Sequence, residues 1–294
     1  MRKSLLFTAL FALSSAAAAK PAIHDGLQVE VRGEGRPVLF IPGLNSAAST
    51  WDATCDALIA DGLQCHLLQL PGFAGLPALE GQADQPFLSE VRTRVLDYID
   101  EQKLEQPAVV GHSLGGALGL MLAIEAPEKI GKLVVVDSLP FFPAATNPAA
   151  TVEAVKPMAD GMRLGMKAQP DDAFFQQAKG AAAMGMSRDP AKVELIQEWG
   201  QQSARETTTQ AMYELFTTDL RPQLDQIKAP TKVLGAWAAY QPMGSTEEST
   251  RGIFAAQYAT LPGVEIAMAP TAYHFIMFDD PEWLVAEVRE HLGE

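Results

Sequence analysis

The sequence is poor in several things, and each shortage excludes a class of protein. Only two of its 294 residues are cysteine. A disulfide-stapled scaffold and a four-cysteine zinc site are therefore out of reach, and no His cluster stands near either cysteine. Positive charge is scarce: 22 Lys and Arg face 36 Asp and Glu, a formal net charge of −14. Such a balance repels phosphate backbones and anionic lipid, so nucleic acid is not an expected partner. The strongly apolar run Leu5–Leu13 is shorter than the ~20 residues of a bilayer span, so no stable membrane anchor is expected. There is no 20–50-residue repeat, and the Gly and Pro residues are scattered, which excludes collagen-like and low-complexity chains. What is present, 48% hydrophobic and 20% charged residues, suits one large α/β domain or two small ones.

The first nineteen residues read as an address. Arg2 and Lys3 give a positive start, the run to Leu13 is broken only by Thr8, and Ser14-Ser15-Ala16-Ala17-Ala18-Ala19 supplies small residues for cleavage. This is the pattern of a secretory signal peptide, so residues 1–19 are expected to be removed and the mature chain exported, periplasmic or secreted. In an oxidising compartment Cys55 and Cys65 become candidates for a disulfide, because they fall in a helix and the strand that follows it. The alternative is two buried thiols packing as small hydrophobes.

Beyond residue 19, short apolar runs alternate with helical patterns. Strands are expected at Leu27–Val31, Val38–Ile41, Cys65–Leu70, Ala108–Val110, Leu133–Val136, Lys232–Gly235 and Val264–Met268. Most lack polar alternation, as strands covered by helices on both faces do. Phe87, Leu88, Val91, Val95, Leu96 and Ile99 share one helical face; Trp51–Ala60, Leu114–Ala126 and Trp283–Leu292 are further helices. The expected fold class is α/β, a doubly wound, mostly parallel sheet. Residues 140–226 break the rhythm with helical segments alone, predicting an inserted helical cap between core segments 20–139 and 227–294. In it Met158, Met162 and Met166 share a face, expected to be core of the insertion or a lining for apolar substrate.

The chemistry concentrates at Ala108-Val109-Val110-Gly111-His112-Ser113-Leu114-Gly115-Gly116, a buried strand running through Gly-x-Ser-x-Gly into a helix. Gly111 and Gly115 leave room for a sharp turn that thrusts Ser113 out at a helix N-terminus, marking it as nucleophile. A serine needs a base. His24 and His291 are expected to be solvated and His66 structural, while His112, in the elbow's variable position, cannot easily turn toward its neighbour's hydroxyl. His274 remains, on a loop between the last strand and the last helix, above the sheet's carboxyl edge.

With these residues in place the chain resembles the α/β-hydrolase superfamily over nearly all of its mature length. The resemblance also rests on Val38-Leu39-Phe40-Ile41-Pro42-Gly43-Leu44 followed by Trp51, on Leu70-Pro71-Gly72-Phe73, and on His274-Phe275 with Asp280-Pro281-Glu282. It implies an oxyanion hole from the backbone N–H groups of Leu44 and Leu114, with Pro42 standing where relatives carry histidine. It places the usual triad acid just after the seventh strand, but Ala236–Gly244 holds no carboxylate. Some relatives, including certain haloalkane dehalogenases, take the acid from the end of the sixth strand, where this chain has Asp137. Glu247 or Glu248, or no acid at all, are the alternatives. Asn45 is expected to cap the helix near Trp51 or to polarise substrate.

The expected function is hydrolysis of a carboxylic ester with an apolar acyl or alcohol group, by a serine esterase needing no cofactor and no metal. Its partner is then a small ester-like molecule. A proline-iminopeptidase-like amide hydrolase, a lactonase or thioesterase, and a catalytically inactive binding protein of the same fold are the alternatives. Oligomeric state leaves no signature in the sequence.

Overall fold

Continuous apolar runs need cover on both sides, and that requirement sets the architecture. The computed structural model describes residues 20–82 and 85–293; the segment expected to be a signal peptide lies outside them. The strands are β1 (Ala22–His24), β2 (Leu27–Arg32), β3 (Arg36–Ile41), β4 (Leu63–Gln69), β5 (Ala108–His112), β6 (Lys132–Val136), β7 (Thr231–Gly235) and β8 (Glu265–Met268). They form one sheet in the order β1-β2-β4-β3-β5-β6-β7-β8. The pairs β1·β2 and β2·β4 are antiparallel and all the others parallel. Strand β1 escaped the sequence reading because three residues at an exposed edge carry too little pattern.

Side chains alternate between two cores. Leu39, Ile41, Val109, Leu133, Val135 and Val233 face one side, where α2 (Phe87–Glu101) and α3 (Leu114–Glu125) contribute Val91, Val95, Leu118 and Leu122. Val38, Phe40, Val110, Val134, Val136 and Leu234 face the other. There α1 (Asp52–Leu58) adds Cys55 and Leu58, with Trp51 just before it. Each such side chain stabilises the fold by ~1.5–3 kcal/mol relative to exposure. The expected helix at 51–60 is divided: a 3₁₀ turn at Ala48–Trp51, then α1, then a second 3₁₀ turn at Ile59–Asp61.

Between β6 and β7 the longer elements are all helices: α4 (Val152–Ala168), α5 (Asp171–Ala182), α6 (Pro190–Gln202) and α7 (Arg205–Thr217). The methionine face of α4 is not a core. Met158 is 54% exposed and Met162 and Met166 are half-buried, whereas Ala159 of α4 is buried. Helix α7 ties this layer to the sheet domain. Its Glu214 is buried and accepts from the backbone N–H groups of Phe87 (2.6 Å) and Leu88 (2.7 Å) and from Gln210 Nε2 (2.6 Å). A side chain 127 positions away thus caps the N-terminus of α2. After β7 come α8 (Glu247–Gln257), α9 (Ile276–Asp279) and α10 (Pro281–Leu292), which packs Leu284 and Val288 into the second core.

Cys55 and Cys65 do sit on α1 and β4, but as free thiols. Both are fully buried, and Cys65 Sγ points at the Cys55 carbonyl oxygen at 3.8 Å. The disulfide is therefore not formed here, and the two pack as small hydrophobes. The neighbouring Cys55 thiol, and secondly burial, push the Cys65 thiol well above its usual range.

Candidate active site

The strands end in step, and this brings the site together. Ile41 pairs with Gly111, His112 with Val136, Val136 with Leu234, and Gly235 with Met268. Residues just beyond β3, β5, β6, β7 and β8 therefore emerge at one edge, the carboxyl edge of the parallel sheet.

Ser113 stands between β5 and α3 at φ 53°, ψ −119°, a left-handed conformation that costs a side-chain-bearing residue ~1–3 kcal/mol. The surroundings enforce it. The Ser113 N–H donates to the Val136 carbonyl (2.9 Å), and the Ser113 carbonyl accepts from Gly116 and Ala117. A Cβ on Gly111 would lie 2.2 Å from the Gly115 carbonyl oxygen, and one on Gly115 would lie 2.2 Å from that of Ile41. Only glycine lets strand, turn and helix approach this closely. A Cβ on Gly43 would come 3.2 Å from Ser113 Cβ, so the turn carrying Leu44 lies against the serine. Among the described residues, the N–H groups of Leu44 and Leu114 have no acceptor and the Ser113 hydroxyl no hydrogen-bond partner.

Asp137 follows β6 at φ 44°. Its N–H donates to the Leu234 carbonyl (2.7 Å), its Oδ1 accepts from the Ala236 N–H (2.8 Å), and its Oδ2 lies 2.5 Å from His274 Nδ1. A carboxylate accepts, so Nδ1 carries the proton and Nε2 keeps a free lone pair, the tautomer a general base requires. Glu247 and Glu248 lie elsewhere in function: both occupy the first turn of α8 behind a Thr246–Ser249 capping box, and Glu247 pairs with Arg251 at 2.8 Å.

The loop bearing His274 is fastened to the helical layer. Its N–H donates to the Gly185 carbonyl (3.1 Å) and that of Phe275 to the Met186 carbonyl (2.8 Å). The buried carboxylate of Asp279 accepts from the Tyr273 N–H (2.9 Å), the Arg188 N–H (3.0 Å) and the Ser187 hydroxyl (2.6 Å). Sequence reading missed Asp279 and the Ala236 amide. A backbone donor has no residue-type signature, and an Asp near a helix start reads as an ordinary capping acid.

The other histidines have other places. His66 is buried, its Nδ1 2.7 Å from Tyr98 Oη, and burial lowers its pKa from 6.5 to about 4. The same burial lifts the Tyr98 phenol to about 12. His24 and His291 are half-buried rather than solvated, against Tyr98 and the Pro230 carbonyl respectively. His112 is fully buried. Asn45 does not cap a helix: it sits at φ 57° and its Oδ1 accepts from Thr208 of α7 (2.6 Å). Tyr240 and Tyr258 flank this edge, their phenols raised first by burial and then by the charge of Asp137.

The sequence profile of the alpha/beta hydrolase family matches residues 38–287. The chain belongs to this family. A pimeloyl-[acyl-carrier protein] methyl ester esterase of Aeromonas hydrophila is 33% identical over 119 residues, 40% of this chain and 44% of that protein. The dihydrolipoyllysine-residue acetyltransferase component of the acetoin cleaving system of Cupriavidus necator is 32% identical over 137 residues, 45% of this chain and 35% of that protein. The chain thus matches less than half the length of these curated relatives. In structure, the enol-lactonase of Burkholderia xenovorans superposes with a TM-score of 0.73 at 17% identity, covering 94% of this chain and all of the other. The α/β-hydrolase fold, an eight-stranded, mostly parallel sheet flanked by helices, is therefore that of this chain. No described helix of this α/β hydrolase is long and apolar enough to cross a membrane.

Proposed function

We propose that this α/β hydrolase cleaves carboxylic esters through an acyl-enzyme on Ser113. The observation that carries the reading is the 2.5 Å contact of His274 Nδ1 with Asp137 Oδ2, at the sheet edge where a serine is held at φ 53° on a strand-to-helix elbow. Ser113 attacks the carbonyl carbon, and His274 Nε2 takes the hydroxyl proton. The Leu44 and Leu114 amides receive the oxyanion, each contributing ~2.7–4 kcal/mol in comparable sites. His274 then protonates the departing alcohol, and water repeats the sequence on the acyl-enzyme, releasing the acid. Asp137 supports the imidazolium and fixes its tautomer. The esterase and lactonase named among its relatives accord with carbonyl substrates, and the half-exposed Phe142 and Tyr240 with an apolar substituent.

Two measurements test this. A fluorophosphonate should label Ser113 and the Ser113→Ala variant should neither label nor turn over; unlabelled wild-type protein would refute the reading. On p-nitrophenyl esters of two to twelve carbons, activity should extend past acetate; a sharp acetate preference would refute the apolar substituent. Export with loss of residues 1–19 is part of the same reading, and an N-terminus at Lys20 in protein recovered outside the cytoplasm tests it.

A further inference from the structure

The His112 side chain is spent on no step above, yet it lies between the two halves of the site. It is fully buried, and its ring is boxed by His274 (centroids 4.5 Å apart), Phe275 (4.6 Å) and Trp51 (6.5 Å). Its Nε2 is 3.0 Å from the backbone carbonyl oxygen of His274. A carbonyl can only accept, so Nε2 carries a proton and Nδ1 is a bare lone pair. That Nδ1 is buried without a hydrogen-bond partner, and a Cβ on Gly43 would lie 3.1 Å from it. One imidazole therefore touches the oxyanion turn on one side and the backbone of the base on the other.

An apolar ring would fill this box without stranding a desolvated nitrogen. What imidazole adds is the Nε2–H aimed at the His274 carbonyl. Burial, and secondly the neighbouring His274 imidazole, hold the His112 pKa well below 6.5, so this donor and its tautomer persist. The base is then fixed at three points, its ring by Asp137, its N–H by the Gly185 carbonyl and its own carbonyl by His112. We propose that His112 is a positioning residue that sets His274 in register with Ser113 and the oxyanion turn. This rests on the esterase reading above, and it adds a role for the variable position of the elbow.

The experiment compares His112→Gln, His112→Leu and His112→Asn in p-nitrophenyl butyrate hydrolysis. A Gln amide reaches about as far as Nε2 and can donate to the same carbonyl, Leu cannot donate, and the shorter Asn reaches only as far as Nδ1. Small misplacements of catalytic groups cost up to ~10²-fold. Leu and Asn are therefore expected to lower kcat by ~10- to 100-fold with KM nearly unchanged, and Gln to restore most of it. The low-field proton resonance of the His274–Asp137 hydrogen bond should persist in wild type and Gln and broaden or vanish in Leu. If Leu does not fold, by circular dichroism, the Asn-against-Gln comparison decides. Leu or Asn turning over like wild type, or Gln falling as far as they do, overturns the proposal. Should the wild type hydrolyse no ester, the esterase reading fails, while the resonance comparison still decides whether His112 positions His274.

Discussion

Replacing Asp137 by Asn puts a donor where the fold provides for two acceptors. Oδ1 takes the Ala236 N–H at 2.8 Å and Oδ2 faces His274 Nδ1 at 2.5 Å. The Ala236 amide is fixed by β7 and cannot accept, so the Asn oxygen must turn to it and the Asn NH₂ must face His274. Nδ1 is then forced to accept, the imidazole proton moves to Nε2, and the base has no lone pair for Ser113. A change of tautomer in such a triad lowers kcat by about 10⁴, or ~5.4 kcal/mol at 1.36 kcal/mol per tenfold. The reverse rotamer would set two donors against each other at Ala236 and cost ~1–3 kcal/mol of stability. The assay is kcat on a p-nitrophenyl ester with the melting temperature measured in parallel. The expected result is a ~10⁴-fold loss with melting near that of wild type. A kcat within tenfold of wild type at unchanged melting temperature would refute the reasoning.

Three further outcomes follow from the packing. In Gly115→Ala the new Cβ meets the Ile41 and Pro42 carbonyl oxygens at 2.2 and 2.6 Å, both backbone. Destabilisation above the ~1–3 kcal/mol usual for overpacking is expected in urea unfolding, and a loss under 1 kcal/mol would show the elbow to be looser than described. Glu214→Ala strands the buried Phe87 and Leu88 amides, so stability should fall by ~2–4 kcal/mol, with Glu214→Gln losing less; equal urea midpoints for all three proteins would contradict the cap. His66 titrates at about 4 in the folded protein against an ordinary 6.5, so the unfolded chain binds the extra proton between these values. Its stability contribution is complete above pH 6.5 and lost as pH falls toward 4, by ~3 kcal/mol at most. His66→Gln should flatten the pH dependence in that window by about one proton, and an unchanged slope would place the titration elsewhere.

Much of the fold was legible because its determinants are local. Seven of the eight strands announce themselves by their apolar pattern, most as continuous runs, and the elbow is spelled by glycines whose Cβ atoms would strike backbone at 2.2 Å. Asp137 was readable as a candidate from its place at the end of β6, but the sequence left it beside Glu247, Glu248 and no acid at all. Distance separates them: Asp137 reaches His274, whereas Glu247 and Glu248 lie in the first turn of α8, where Glu247 pairs with Arg251. Of the two readings of the methionine stripe of α4, exposure removes the core of the insertion, because helical spacing reports a shared face and not what covers it.

By itself the sequence determined the alternation of buried strands and helices, the strained turn at Ser113 and the set of histidines from which a base could come. These depend on sterics and hydrophobic periodicity within a few residues. The tertiary structure alone decided which carboxylate faces His274, that the Ala236 amide and the Asp279 carboxylate hold the site in place, and that Cys55 and Cys65 stay unbonded in the core. The contacts of Asp137 with His274, of Ala236 with Asp137 and of Ser187 with Asp279 join positions 137, 99 and 92 residues apart, in part through main-chain groups that every residue shares. Sequence carries no sign of them until the strands end in step and bring them within reach.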